Sequence, residues 1–107
     1  MKLGIVISTN EPETVWNAFR FATAALSKSH DVTVFLLGKG VESETLEDAR
    51  FDVRKAVDLF RKKKGRTLGC GTCLTMRGRD GSGICDVSTM AELLQLVEDS
   101  DRVINWG

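Results

Sequence analysis

Short apolar runs alternate along this chain with segments whose apolar positions recur at helical spacing. Leu3-Gly4-Ile5-Val6-Ile7 has the continuous hydrophobicity of a strand buried on both faces. Asn10-Glu11-Pro12 then reads as a turn. Val15, Phe19, Ala22 and Leu26 predict a first crossover helix, with Pro12 near its start where the missing N–H costs nothing. Asp31 opens Val32-Thr33-Val34-Phe35-Leu36-Leu37, the clearest strand of the sequence, which Gly38-Lys39-Gly40 ends as a loop. Leu46, Ala49, Val53, Ala56, Val57 and Phe60 predict a second amphipathic helix, closed by a basic turn and Gly65.

The second half continues the alternation with shorter pieces. Thr67 to Gly69 reads as a brief strand and residues 71–76 as a short helix stopped by Gly78. Residues 79–83 form a glycine-rich connection, Ile84 to Val87 a possible short strand, and Ser88 an N-cap. Met90, Leu93, Leu94 and Val97 supply the apolar stripe of a last helix before the strand Arg102-Val103-Ile104-Asn105-Trp106. Strands separated by helices of this length imply right-handed crossovers and a mainly parallel sheet of about five strands, covered on both faces. The expected fold class is therefore α/β, with residues 1–107 as a single domain and no internal repeat. In such a sheet the loops that follow the strands gather at one edge, which brings together the turn at Cys70, the Gly38-Lys39-Gly40 loop and Trp106. Trp106, Trp16 and Phe51 are candidates for apolar contact surface.

Composition adds limits. A chain of 107 residues, 42% hydrophobic and 28% charged, fits one ordinary core. No run approaches the length needed to cross a bilayer, and the N-terminus leads directly into a strand pattern, so a cytoplasmic protein without membrane partners is expected. Three cysteines are an odd number for a structural disulfide set, which favours thiols kept reduced. Net charge is zero, yet residues 50 to 79 hold ten of the fifteen Lys and Arg beside only Asp52 and Asp58. That basic middle complements a helix C-terminus and would also attract an anionic substrate or acidic partner. No aromatic residue is interleaved with it, which argues against nucleic acid.

The candidate chemistry lies at Leu68-Gly69-Cys70-Gly71-Thr72-Cys73-Leu74-Thr75-Met76-Arg77-Gly78, where a buried strand turns into a helix. Unpaired N–H groups and the positive end of the helix dipole at such a turn favour thiolate, the nucleophilic form. Gly71 and Thr72 suit a tight turn whose N–H groups face a sulfur anion, and Arg77 or Arg79 can add positive charge. Three chemistries compete. One is dithiol–disulfide exchange, although the only proline, Pro12, lies far from the dithiol that a thioredoxin-type site would place beside a cis-proline. Another is a metal site of Cys70, Cys73 and Cys85 with His30, weakened by the lack of a second Cys-x-x-Cys pair and by the position of His30 at the opposite sheet edge. In the last, a cysteine accepts sulfur as a persulfide and passes it on, which requires an accessible low-pKa thiolate and a protected pocket but no general base or cofactor. Cys85, at the head of an apolar run, reads mainly as structural. Gly38-Lys39-Gly40 lacks Walker spacing, the glycines at 78–83 do not match a dinucleotide fingerprint, and a lone distant histidine gives no base for serine-type catalysis.

Val32 to Val41, Cys70-Gly71-Thr72-Cys73 with Arg77-Gly78, and Ser88-Thr89-Met90-Ala91-Glu92-Leu93 leading to Asp101-Arg102-Val103-Ile104 together resemble the DsrE/DsrF family of small sulfur-relay proteins over essentially the whole chain. The resemblance implies a three-layer α/β/α domain that forms homo- or hetero-oligomers such as trimers or hexamers, and exchanges sulfur with donor or acceptor proteins. It implies a sulfur-carrying cysteine at the start of the helix before Arg-Gly; by distance to Gly78 this is Cys70. Cys73, one helical turn on, has no counterpart in relay subunits with a single active cysteine. It can resolve a persulfide on Cys70 into a disulfide, or be a small buried residue. Neither cofactor nor metal is implied. Some subunits of the family carry no active cysteine, so a non-catalytic oligomer subunit is the competing reading.

Overall fold

In a computed structural model, which describes residues 1–79 and 85–107, five parallel strands form one sheet in the order β4-β3-β2-β1-β5. The strands are β1 (Lys2–Ile7), β2 (Asp31–Leu36), β3 (Arg66–Cys70), β4 (Asp86–Ser88) and β5 (Arg102–Trp106). The helices are α1 (Pro12–Ser27), α2 (Val53–Lys62), α3 (Gly71–Thr75) and α4 (Met90–Asp99), with a 3-10 segment at Gly38–Thr45. From β1 to β4 the chain steps across the sheet in one direction, so right-handed crossovers place α1, α2 and α3 on one face. The return from β4 to β5 reverses direction and puts α4 alone on the other. Packing agrees: a side chain at Gly4 would meet Ser100 and Leu96 at the end of α4, whereas one at Gly69, which points to the opposite face, would meet Leu74 of α3.

The helix starts follow from local chemistry. Glu11 caps α1, its carboxylate accepting the Thr14 N–H at 2.6 Å and the Glu13 N–H at 3.2 Å, and Pro12 is the first helical residue. Asp52 caps α2 by accepting the Lys55 N–H at 3.0 Å. The second helix is therefore shorter than its apolar spacing predicts, since Leu46 and Ala49 precede the cap and the turn they occupy belongs to the preceding connection. Ile5, Ile7, Val34 and Leu36 meet Val15, Phe19, Val57 and Phe60 in the core, with the Phe19 and Phe60 rings edge to face at 5.8 Å. Trp16 and Phe51, expected as contact surface, pack against each other in a tilted pair with ring centroids 5.2 Å apart.

The last helix departs further from its predicted pattern. Leu93 and Leu96 pack on the sheet, while Met90, Leu94 and Val97 form an exposed apolar row. Ser88 is not its cap: it is a buried residue of β4, and the Thr89 hydroxyl accepts the Glu92 N–H at 3.1 Å instead. The fourth strand begins at Asp86; the expected connection at 80–83 and Ile84 lie outside the described residues. Among the described residues α4 is the sole long helix on its face, and a cleft of about 290 Å³ remains between it and β2 and β3, lined by Thr33, Leu68, Gln95 and Leu96. Among the described residues, no helix is long and apolar enough to cross a membrane.

Candidate functional site

Four buried residues, Thr67, Leu68, Gly69 and Cys70, drive β3 to the C-terminal edge of the sheet, where the chain turns directly into α3. Two glycines make the turn tight. A Cβ at Gly71 would lie 3.1 Å from the Ser88 carbonyl oxygen, so this position admits β4 alongside, and a Cβ at Gly69 would lie 2.7 Å from the Cys85 sulfur. Cys70 is the N-cap residue of α3 and is only 3% exposed. Thr72 points to solvent, and Cys73 is half-buried one turn later.

The two thiols interact. The Cys73 sulfur accepts the Gly38 N–H at 3.3 Å and lies near enough to the Cys70 side chain for that thiol to influence its titration. Gly38 occupies the left-handed region at φ 56°, which glycine adopts without a Cβ penalty and which starts the 3-10 segment over the cysteines. Burial pushes the Cys73 thiol above its ordinary range, and the hydrogen bond and charge of Cys70 push it further. The Gly38 N–H and the Arg77 charge act in the opposite sense without overcoming these effects. Cys73 is thus held as a neutral thiol at neutral pH. The expectation that the helix start favours thiolate does not extend to this second cysteine, for which desolvation dominates.

Arg77 stands close by but is already engaged. Its Nε contacts Glu42 Oε2 at 2.7 Å and its Nη1 donates to the Cys73 carbonyl at 3.0 Å. Asn10 donates to the other Glu42 oxygen at 3.2 Å, and the Arg77 and Asn10 bonds hold the Glu42 carboxyl below the usual range. Arg79 pairs with Glu44 and donates to the Val41 carbonyl. Both arginines therefore tie α3 to the 3-10 segment rather than standing out in solvent.

The sheet edge assembles some expected residues and separates others. Leu36 pairs with Gly69 in register, which sets the Gly38 loop directly beside the Cys70 turn. Trp106 shares the C-terminal edge but sits on β5, three strand spacings or about 14 Å from β3, and packs on Phe21 with ring centroids 5.9 Å apart. It does not cover the thiols. Cys85 is buried against Gly69 and raised by burial, and His30 bonds to the N-terminal ammonium at 2.8 Å near the opposite edge. The chain's histidine is thus remote from its thiols. The sequence places the Gly38 loop at the cysteine edge but carries no signal for the parts that Glu42 and Asn10 take there.

Comparison with known proteins fits this architecture. An uncharacterized protein of Methanocaldococcus jannaschii is 31% identical over 117 residues, an alignment covering 99% of this chain and 100% of that one. A conserved protein of unknown function from Bacteroides thetaiotaomicron superposes with a TM-score of 0.78 at 18% identity, covering 97% of this chain and 93% of its own. A protein of unknown function from Methanobacterium thermoautotrophicum gives 0.77 at 16% identity, with 97% of each chain covered. At such identities these two show a shared fold. The model of the DsrE/DsrF-like family matches residues 1–106, and the chain belongs to that family.

Proposed function

We propose that the protein is a persulfide carrier in which Cys70 accepts sulfur and Cys73 attends it. The observation that carries this reading is the placement of Cys70 at the strand-to-helix turn with Cys73 one turn on and the Gly38 loop alongside, while the burial of Cys70 is what favours the competing inert subunit. A neutral thiol one turn away can donate its S–H to a sulfur anion on Cys70, and burial shields that anion from other electrophiles. In the loading step the Cys70 thiolate attacks the outer sulfur of a donor persulfide or polysulfide; an S–S bond forms on Cys70, and the donor leaves as a thiolate. In the delivery step an acceptor thiolate takes the same outer sulfur and Cys70 leaves as thiolate. No net oxidation occurs. The backbone N–H groups of Gly71 and Thr72 at the start of α3 complete the anion's surroundings, with the Arg77 charge, paired with Glu42, beside them.

The same placement favours a second reading. Cys73, once deprotonated, can attack the inner sulfur of a Cys70 persulfide, forming the Cys70–Cys73 disulfide and releasing hydrosulfide. We also propose that the chain self-associates, as a trimer or hexamer, through the exposed apolar row of α4. Intact-mass spectrometry after exposure to polysulfide tests the carrier reading on the wild type and on Cys70→Ser, Cys73→Ser and Cys85→Ser. A reducible gain of one sulfur, about 32 Da, that disappears only in Cys70→Ser supports it. Loss of two hydrogens that requires both Cys70 and Cys73 supports the disulfide reading, and no gain at all favours an inert subunit.

A further inference from the structure

At the other end of β3 from the thiols, a cleft of about 690 Å³ opens between the C-terminal turn of α2, the first residues of β3 and Asp86. Lys62, Lys64 and Arg66 stand exposed around it. Asp58 is held by Arg54 at 3.3 Å, so Asp86 is the remaining carboxylate among the described lining residues. Thr67 forms part of the wall; it is 5% exposed, and its hydroxyl has no hydrogen-bond partner among the described residues. The rim of cations is the feature that an anionic ligand would complete.

Lys62 complements the C-terminus of α2, but helix capping does not account for Lys64 and Arg66. The last carbonyls of α2 are closed by backbone donors, with Lys63 N–H to Leu59, Lys64 N–H to Arg61 and Gly65 N–H to Phe60, at 3.2, 3.0 and 3.0 Å. Lys64, at φ 69°, and Arg66 lie beyond the helix, where its dipole has little reach. Their spacing around an open cleft suits several carboxylates better than one small anion. No aromatic residue lines the cleft, so bases would find no stacking surface.

We infer that this cleft docks an acidic segment of a partner protein. Four residue steps of β3 separate Arg66 from Cys70, about 13 Å at strand rise, so a partner seated here can also reach the thiol edge. That link to sulfur transfer rests on the function proposed above; the docking does not.

Fluorescence anisotropy with labelled octaglutamate, with octaglutamine and an oligothymidylate of equal length as controls, tests the inference on the full chain. The Lys62→Glu/Lys64→Glu/Arg66→Glu variant, and its Gln counterpart, are compared with Lys2→Glu/Lys28→Glu/Arg102→Glu, which makes the same charge change elsewhere. Octaglutamate is expected to bind at low salt, to weaken at least about tenfold in the cleft variants, and to stay within about twofold of wild type in the control. Equal weakening in both sets, no binding at low ionic strength, or tighter binding of the oligothymidylate overturns it. Unchanged octaglutamate binding by Cys70→Ser/Cys73→Ser is expected, which keeps the docking test separate from the thiol chemistry.

Discussion

Replacing Gly40 by alanine tests how tightly the 3-10 segment is seated at the candidate site. An added Cβ would lie 1.9 Å from the Ile7 carbonyl oxygen and 2.8 Å from its carbon. The oxygen cannot simply retreat, because it accepts the Leu37 N–H at 2.9 Å in the link from β2 to the segment. Restoring ordinary contact therefore requires about an ångström of backbone movement in a packed region, and that movement breaks or lengthens a buried bond. Overpacking of about 1–3 kcal/mol and a lost backbone hydrogen bond of about 1 kcal/mol give roughly 2–4 kcal/mol. In a domain of this size that lowers Tm by roughly 10–25 °C. Gly38→Ala is the internal comparison, since nothing lies within 4 Å of its Cβ and only the positive φ is strained, at about 1–2 kcal/mol. Denaturant unfolding of both variants reads the difference. A Gly40→Ala protein as stable as Gly38→Ala would refute the close approach of the segment to β1.

Further predictions concern the site and the surface. Cys73 alkylation should rise only at alkaline pH, above the ordinary cysteine range, and Cys70→Ala should move that rise to lower pH by removing the hydrogen bond and charge; an unchanged profile contradicts the thiol contact. Because native Cys73 keeps its proton after the unfolded chain has lost its own, the stability it contributes is present below the unfolded thiol's pKa and declines as pH rises through the folded one. Glu42→Gln should lower stability at neutral pH but not in acid: the Glu42 carboxyl is depressed in the fold, so its ion pair contributes above the ordinary carboxylate range and is lost as pH falls through the folded value. Urea midpoints of wild type and variant that stay equally far apart at low pH contradict this. Leu94→Glu on the exposed row of α4 should convert an oligomer to a monomer by light scattering; a wild type already monomeric at micromolar concentration sinks the self-association proposal.

Much of the fold was legible because its signals are local. Period and capping chemistry locate β1, α1, β2 and β5 within a residue or so, as Pro12 and the Val32–Leu36 run show. The errors arise where tertiary context decides. The spacing of Leu46, Ala49 and Val53 fits a helix, but Asp52 offers its carboxylate to Lys55 and starts α2 there. Met90, Leu94 and Val97 fit an inward stripe, yet α4 lies on the sheet through Leu93 and Leu96, a rotation that hydrophobicity alone does not specify.

The site was half legible for a similar reason. Two cysteines at a strand-to-helix turn are visible in sequence, and parallel topology brings the Gly38 loop beside them. The Gly38 N–H on the Cys73 sulfur, the Asn10–Glu42–Arg77 chain and the balance of desolvation against the helix start depend on distances between residues far apart in the chain. Trp106 illustrates the converse. It reaches the expected edge, but strand order carries it away from the thiols to Phe21.

The most direct test of the central claim is to load the protein with polysulfide, trap persulfides with an alkylating reagent under denaturing conditions, and map them by peptide mass. The account predicts one added sulfur on the peptide containing Cys70 and Cys73, assigned by fragmentation to Cys70 and retained in Cys73→Ser. Sulfur on Cys73 alone, on Cys85, or on no cysteine would contradict it.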